Sequence, residues 1–251
     1  MASPPFFQTA RAWLQPLLAC LPSLCAICHA WPSEQVCADC LRRFGAPRAR
    51  CPGCALAWVA PGGGPALCRD CQSAPLPLKA CHAALEYGYP WSEMLTQMKF
   101  QARSGWAGFF ADRLLAQDGV RKLLASLEPS DWLLPLPLSA QRLAERGFNQ
   151  AWELGHALKV RSGCLARMDG QLLLRVLHAP PQSTLDRQQR RANVRGAYAV
   201  DPLRRAELAG RQVLLVDDVM TTGASLSAAA QALQRSGARS VLAVVAARTP
   251  P

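Results

Sequence analysis

Four C-x-x-C pairs in the first third of the chain constrain its fold more than any other feature. Eleven of the 251 residues are cysteines, and ten of them come before residue 82. Eight of these ten form the pairs Cys25/Cys28, Cys37/Cys40, Cys51/Cys54 and Cys68/Cys71. A C-x-x-C turn places two thiolates on one metal ion, and two such turns complete a tetrahedral zinc site. We therefore predict two structural zinc sites rather than the disulfide framework of a secreted protein.

The pairing of the four turns is open to two arrangements. In the sequential arrangement the first two turns form one site and the last two form the other, whereas an interleaved arrangement cross-braces them. The gaps of 8 and 13 residues inside the two halves favour consecutive ribbons. Small ribbons lack a hydrophobic core, so a bound metal supplies their folding energy. Contact with nucleic acid or protein is an alternative role, which rests on the basic neighbours Arg42, Arg43, Arg48, Arg50 and Arg69.

A change of composition near residue 73 divides the chain. We predict an N-terminal helix and the double ribbon over residues 1–72, a linker over 73–80, where proline and serine resist regular structure, and a second domain over 81–251. Helical spacing of apolar residues near the N-terminus predicts an amphipathic helix instead of a signal peptide, because Gln15 and Pro16 interrupt the apolar stretch. No run approaches the roughly 18 apolar residues of a membrane helix, so a cytoplasmic protein is expected.

Strand and helix patterns alternate after residue 81. The predicted strands cover residues 83–89, 131–138, 212–216 and 240–246, and the predicted helices cover residues 91–100, 105–117, 150–160 and 225–236. The continuous apolar run at 212–216 is typical of a parallel strand covered on both faces. This order predicts an α/β domain with a parallel sheet flanked by helices.

The string VLLVDDVMTTGAS, residues 213–225, carries the most chemistry. Asp217 and Asp218 come at the end of an apolar strand, where open α/β sheets bind ligands. Carboxylates there can accept hydrogen bonds from sugar hydroxyls. The residues that follow form a loop at a helix N-terminus, which suits phosphate: Thr221, Thr222, Gly223, Ala224 and Ser225. Together these groups predict a site for a ribose 5-phosphate unit.

The same string resembles the 5-phosphoribosyl-1-pyrophosphate (PRPP) motif of type I phosphoribosyltransferases. The strings PLPLS (135–139), ERGFNQ (145–150) and PPQSTLDRQQRRANVRGAY (180–198) precede it in the order seen in the ComF family, which comprises competence proteins and GntX-type proteins. Members commonly carry an N-terminal double zinc ribbon. The resemblance covers nearly the whole chain and implies a type I phosphoribosyltransferase-like domain behind that ribbon.

The resemblance also implies roles for single residues. Asp217 and Asp218, the candidate catalytic pair, would contact the ribose 2′ and 3′ hydroxyls, and residues 221–225 would wrap the 5-phosphate. Magnesium, which prefers oxygen ligands, would bridge pyrophosphate and ribose. The candidates near the pyrophosphate are Pro137, Leu138, Ser139, Arg142, Arg146 and Asn149. Arginine suits such a place because its charge is permanent and its fork is planar.

Further candidate cations are less specific. Arg191 belongs to a segment that resembles the mobile flap over the site, together with Arg187, Arg190 and Arg195, and a solvated basic loop is the alternative. Lys99 is a weaker candidate, since its position is better explained as that of a helix-surface residue. Four histidines form no recognisable dyad, so none receives a catalytic role.

Three functions stay open at this point. The first is a ComF-like protein that binds PRPP with magnesium and acts in DNA uptake, with single-stranded DNA and competence-machinery proteins as partners at the inner face of the membrane. The second is an active phosphoribosyltransferase whose acceptor no segment identifies. The third is a PRPP or nucleotide sensor. A net charge of +11 agrees with polyanionic partners but does not choose among them.

Overall fold

The computed structural model describes residues 23–59, 66–100, 105–176 and 196–250. The chain divides into two compact units, Met1–Ala46 and Pro47–Pro251. The predicted N-terminal helix lies outside the described residues, as do Arg187, Arg190, Arg191 and Arg195 of the predicted flap. Among the described helices, none combines the length and the apolar character that crossing a bilayer requires.

The first unit is organised around its cysteines. A bridge between Ser23 and Ser33 closes the loop that holds the first C-x-x-C turn. Helix α1 (Ala38–Phe44) begins after Cys37, whose sulfur accepts a hydrogen bond from the Cys40 amide at 3.4 Å. Because the described part of this unit has few buried apolar side chains, its folding depends on what the four thiols bind.

The second unit is built on a five-stranded sheet in which every neighbouring pair is parallel. Its strands are β1 (Cys81–Glu86), β2 (Trp132–Pro135), β3 (Arg167–Met168), β6 (Gln212–Met220) and β7 (Ser240–Arg248), in the order β1-β7-β6-β2-β3. A separate antiparallel ribbon pairs β4 (Leu173–Arg175) with β5 (Tyr198–Val200). The predicted α/β class is confirmed.

Helices flank this sheet. They are α2 (Arg69–Ser73), α3 (Trp91–Phe100), α4 (Gly105–Leu115), α5 (Asp118–Ala125), α6 (Ala140–Arg146), α7 (Gln150–Ser162) and α8 (Ala224–Arg235), with a 3-10 helix at Pro202–Leu208. Helices α4 and α7 pack on each other and on strands of the sheet, whereas α8 packs on β5, β6 and β7. The nearly continuous burial of β6 and β7 follows from this cover.

Strand β6 is longer than its sequence pattern predicts. The apolar run ends at Val216, but the pairing with β7 continues to the partners Met220 and Arg248. Asp217 and Asp218 are therefore the sixth and seventh residues of a nine-residue strand, and the loop begins only after Met220. Backbone pairing decides where this strand ends, so the loss of apolar side chains does not end it.

The third and fourth C-x-x-C turns, Cys51/Cys54 and Cys68/Cys71, belong to the unit that contains the sheet. All four of its cysteines are buried in the same hydrophobic core as Leu78 and residues of β1, β6 and β7. The Cys81 amide also donates to the Pro52 carbonyl at 2.9 Å, which ties the ribbon to the start of β1. The compact units thus divide the chain earlier than the expected linker at 73–80, and an independent domain over residues 1–72 stays a prediction.

Candidate functional site

A pocket of about 290 Å³ opens at the carboxyl ends of β2 and β6. Most of the residues predicted for the ligand site line it: Pro137, Leu138, Arg142, Arg146, Asp217, Asp218, Thr221, Thr222, Gly223, Ala224 and Ser225. The fold thus brings the segment 137–146 together with the segment 217–225, which is far from it in the sequence. This is the edge of a parallel sheet at which α/β proteins bind their ligands.

The two neighbouring aspartates have different surroundings. The Asp218 carboxylate is buried; its Oδ2 accepts from Lys99 Nζ at 3.0 Å and from Gln150 Nε2 at 3.2 Å. Its Oδ1 accepts from the Val219 amide at 2.7 Å. Asp217 is half-buried, and its Oδ1 accepts from the Asp218 amide at 2.8 Å. Asp218 is therefore held in place by the protein, whereas Asp217 keeps more capacity to accept hydrogen bonds from a ligand.

This asymmetry moves the two pKa values apart. Burial and the adjacent Asp218 charge raise the pKa of Asp217 well above its ordinary value of 3.8. Burial also acts to raise the pKa of Asp218, but the Lys99 ammonium outweighs it, and the pKa of Asp218 is lowered. One carboxyl group of the pair is thus anionic over a wide pH range, and the other holds its proton more tightly.

The pKa shifts predict opposite stability effects for two isosteric variants of the ligand-free protein. Below the ordinary pKa, Asp217 is protonated whether the chain is folded or unfolded, and its stability cost appears as the pH rises through the raised pKa. Asp217→Asn should therefore match the wild-type Tm near about pH 4 and exceed it by a few degrees near about pH 8, because about 1 kcal/mol shifts the Tm of a domain of this size by about 2–4 °C.

Asp218→Asn is the matched control for that measurement. The stability that its lowered pKa represents is present above the ordinary value of 3.8 and is lost as the pH falls. This variant should lower the Tm near neutral pH, because it removes the carboxylate that neutralises Lys99. Thermal scans of the three proteins across the pH range provide the test, and a lower Tm for Asp217→Asn at high pH would contradict the assignment.

The loop between β6 and α8 has the geometry of an anion site. Gly223 precedes α8 with φ at +76°, a conformation that favours glycine. A Cβ at this position would lie 2.5 Å from Cε of Met220 and would displace the end of that flexible side chain. Helix α8 has 12 residues, and its first two residues, Ala224 and Ser225, line the pocket together with Thr222. Hydroxyl groups and a positive helix end therefore converge there.

Cations surround the remaining wall of the pocket. Arg142 and Arg146 project from α6, Lys99 comes from α3, and Arg175 comes from β4. Arg175 donates to the Tyr198 hydroxyl at 3.4 Å, and its guanidinium lies 5.6 Å from the centre of that ring. Four cations against two carboxylates give the lining a net positive charge, which favours an anion with several negative charges.

Several lining residues were not among the site residues predicted from the sequence. Gln150, Arg175 and Tyr198 each line the pocket, but none is part of the predicted phosphate or diol motif. The antiparallel pairing of β4 with β5 aligns Arg175 with Tyr198, although they are 23 positions apart. Gln150 was visible at the end of the ERGFNQ string, and its amide contact with Asp218 depends on the packing of α7 against β6.

Ser139 and Asn149 do not line the pocket. The Ser139 hydroxyl caps α6 by accepting from the Arg142 amide at 3.3 Å. Asn149 caps α7 through the Ala151 amide, and its side-chain NH₂ donates to the Leu136 carbonyl at 3.1 Å. Both side chains orient the helices and the loop that carry pocket residues. A direct phosphate contact from either one stays a prediction.

The eight paired cysteines form two groups in sequential order. The groups are Cys25, Cys28, Cys37, Cys40 and Cys51, Cys54, Cys68, Cys71, and the sulfurs of each lie within 4.8 Å of one another. The Sγ atoms of Cys54 and Cys68 are 3.6 Å apart, close to the roughly 3.8 Å expected for two thiolates on a tetrahedral zinc. The structure thus adopts the sequential arrangement, and each group could hold one metal ion.

Both groups repeat the same local design. The first cysteine of each accepts hydrogen bonds from backbone amides, and the third begins a short helix that carries the fourth. Burial acts to raise the pKa of Cys25 and of Cys51, but the amides outweigh it and lower these values to about 6 and about 7. Burial and neighbouring thiols raise the pKa of Cys54 to about 11. Four thiolates can coexist here only around a cation, so the donor set fits a thiophilic divalent metal.

Comparison with known proteins identifies related chains. A family model described as "phosphoribosyl transferase domain" matches residues 173–250, which include β4, β5, β6, α8 and β7. The DNA utilization protein YhgH of Salmonella typhi is 31% identical over 225 residues, which cover 88% of this chain and 95% of the relative.

Two relatives are named as competence proteins. Competence protein F of Haemophilus influenzae is 31% identical over 160 residues, covering 62% of this chain and 66% of that protein. Competence protein ComFC of Bacillus subtilis is 28% identical over 215 residues, covering 82% and 80%. The similarity to YhgH and ComFC extends over four fifths or more of this chain, beyond the segment that the family model matches.

Proposed function

The chain belongs to the ComF family of competence and DNA utilization proteins, and on this premise we propose that it binds PRPP with magnesium in the pocket at the end of β6. The observation that supports the proposal most is the convergence of three ligand-binding elements. An acidic pair, a glycine-containing loop at a helix N-terminus, and a cluster of cations line one pocket. A ribose diol, a 5-phosphate and a pyrophosphate are the three matching parts of PRPP.

The roles follow from the chemistry of each group. Asp217 and Asp218 accept hydrogen bonds from the ribose hydroxyls, and the amides and hydroxyls of residues 221–225 hold the 5-phosphate. Arg142 and Arg146 neutralise the pyrophosphate. Magnesium brought by the ligand would supply further positive charge to the phosphate oxygens. Arg191 of the predicted flap, which lies outside the described residues, is proposed as a further phosphate contact.

This site supports either transfer or sensing. In transfer, the bond between C1 and pyrophosphate breaks and an acceptor nucleophile bonds to C1, while the chain's arginines stabilise the departing anion. In sensing, PRPP stays intact and its binding alone is the signal. Incubation with PRPP, magnesium and a panel of bases separates the two, because only transfer releases pyrophosphate in an acceptor-dependent way.

The binding proposal is tested by calorimetric titration of the purified protein with PRPP in the presence of magnesium. Ribose 5-phosphate and inorganic pyrophosphate, titrated separately, report the two halves of the site. Saturable binding of PRPP that is tighter than binding of either half supports the proposal. Absence of PRPP binding, with both cysteine groups loaded with metal, would refute it.

We propose that zinc occupies the two cysteine groups. Each provides four sulfurs in the sequential order of consecutive ribbons, and thiolates select zinc among the common divalent ions. Measuring metal by atomic emission should give two zinc ions per chain. Because the second group lies inside the core of the sheet unit, its metal is part of the fold that carries the pocket.

The names of the relatives support a role in the handling of DNA. Relatives are named for DNA utilization and for competence, so we propose that this protein acts in DNA uptake, with single-stranded DNA and competence proteins as partners. The excess of 11 positive charges supports an anionic partner. A cytoplasmic location stays a prediction, as does action at the inner face of the membrane.

Binding of single-stranded DNA should weaken steeply with salt. Each phosphate contact lowers the logarithm of the binding constant by about 0.7 per tenfold rise in salt, because counterions are released from the strand. Fluorescence anisotropy of a labelled oligonucleotide, measured at several salt concentrations, gives the number of contacts from the slope. Excess PRPP serves as a competitor that tests for a shared site. Affinity that does not change with salt would contradict a phosphate-driven contact.

Three of the five arginines beside the cysteine groups are poor candidates for that contact. Arg42 pairs with Asp39 and Arg48 pairs with Glu86, which reduces the charge available to DNA at both positions. Arg50 donates to the Ala55 carbonyl at 2.9 Å and is partly buried. These three side chains already have partners within the protein, so other basic residues are better candidates for the DNA surface.

A further inference from the structure

Arg248, the last residue of β7, is buried although it carries a charge. Only 5% of its surface is exposed. Its Nε donates to the Cys54 carbonyl at 3.0 Å, and its Nη1 donates to the Met220 carbonyl at 3.2 Å and to the Thr221 carbonyl. Nη1 also donates to the Thr249 carbonyl at 2.8 Å. A buried guanidinium that serves several backbone carbonyls holds their segments at a set distance from one another.

The segments that Arg248 joins have separate roles. Cys54 belongs to the second cysteine group, which could hold a metal ion. Met220 and Thr221 form the junction where β6 ends and the proposed phosphate loop begins. One side chain therefore spans from a metal-binding turn to the loop that would hold the 5-phosphate.

Two further contacts connect the same parts. The Cys81 thiol lies 3.7 Å from the Met220 sulfur. The amide of the same cysteine donates to the carbonyl of Pro52, which lies between Cys51 and Cys54. Leu76, which comes just after the second group, packs so close to Gly223 that a Cβ there would lie 3.2 Å from it. The loop is thus contacted both by Leu76 and by Arg248.

We propose that Arg248 is a positioning residue through which the metal of the second cysteine group sets the affinity of the phosphate loop. When the metal holds the turn, the Cys54 carbonyl orients the guanidinium, and the guanidinium orients the Met220 and Thr221 carbonyls. The loop amides are then aimed at the phosphate before it arrives. This inference rests on the proposed binding of a ribose phosphate and extends it to a metal-dependent control of that site.

Thermodynamic linkage makes the proposal measurable without any enzymatic activity. If the metal strengthens phosphate binding, a bound phosphate must strengthen metal binding by the same factor. Because differences in affinity are expressed mostly in dissociation rates, saturating ribose 5-phosphate should slow zinc release from the second group by about tenfold, the effect of roughly one charge-assisted hydrogen bond. Release from the first group should not change.

The experiment follows zinc transfer to a chromogenic chelator in the absence of magnesium. The full-length wild-type chain is compared with and without ribose 5-phosphate, and a Cys28→Ser, Cys37→Ser variant, which lacks the first site, assigns the release from the second. Arg248→Lys is the informative variant, because lysine keeps the charge beside the loop but loses the Nε donor to Cys54. It should still bind ribose 5-phosphate, within about tenfold of wild type, and its zinc release should no longer respond.

The matched control is Arg239→Lys, which changes an exposed arginine on the loop before β7. The zinc release of this variant should respond to ribose 5-phosphate as that of wild type does. A wild-type second site that releases zinc at the same rate with bound ribose 5-phosphate would overturn the proposal. Equal slowing in wild type and Arg248→Lys would overturn it as well, because the ligand would then stabilise the whole unit without Arg248. Failure of wild type to bind ribose 5-phosphate at all would instead refute the proposed function, and the coupling with it.

Discussion

Replacing both Asp217 and Asp218 with asparagine is expected to lower the affinity for PRPP and magnesium by at least about a hundredfold. Hydrogen bonds to charged groups contribute about 1.5–3 kcal/mol each, so the loss of two charged acceptors costs about 3 kcal/mol or more in binding free energy. Asparagine keeps the shape of both side chains, so the pocket should keep its form. Calorimetric titration of wild type and variant measures the difference directly.

The controls for this variant separate a lost ligand site from a damaged protein. Zinc content should stay at two ions per chain, because neither aspartate lies near the cysteine groups in the sequence or belongs to them. The double variant should lose less affinity for inorganic pyrophosphate than for ribose 5-phosphate, since the acidic pair is assigned to the sugar. An unchanged PRPP affinity would show that the ribose binds elsewhere.

The second large effect is expected from the second cysteine group. Cys68→Ser with Cys71→Ser should lower the Tm of the sheet unit by at least about 10 °C, or prevent its folding. Structural zinc contributes about 10–16 kcal/mol in small metal domains, which is comparable with the whole stability of a typical protein. Both cysteines are buried, at 2% and 3% exposure, in the core shared with the sheet.

The first group provides the matched comparison. Cys28→Ser with Cys37→Ser removes the same number of ligands from the same design, but Cys28 is exposed and Cys37 is only partly buried. The loss of stability in this variant should be confined to the first unit. The main thermal transition of the sheet unit should stay within about 3 °C of wild type. Circular dichroism and calorimetry resolve the two transitions. An equal decrease for both variants would contradict the different burial of the two groups.

Sequence patterns predict the elements of the sheet unit well where periodicity is strong. The helix over 91–100 has the bounds of α3, and the helix over 225–236 differs from α8 by one residue at each end. Strand ends are less predictable, because the pairing of β6 with β7 carries the strand past Val216 through polar residues. Helix α5 was missed, since its eight residues carry only two buried side chains.

The residues of the candidate site also differ in how well the sequence predicts them. Asp217, Asp218 and the loop after them are close in sequence, so a local string is enough to find them. Arg175 becomes a pocket residue only through an antiparallel ribbon whose strands are separated by 22 residues in the chain. Ser139 and Asn149 carried a signal that sequence reasoning could have used, because serine and asparagine just before a helix are preferred N-caps.

The pairing of Lys99 with Asp218 has a consequence for how the pocket rests between ligands. An acidic pair in a half-closed pocket would attract stray divalent ions, but here an internal ammonium already sits 3.0 Å from one carboxylate. Arrival of the proposed magnesium-bearing ligand would then exchange one cation for another beside Asp218, with little new charge created there. The released ammonium would become available to the phosphates. The Asp218 carboxylate is in this sense already neutralised by Lys99, which would favour ligands that bring both a cation and an anion.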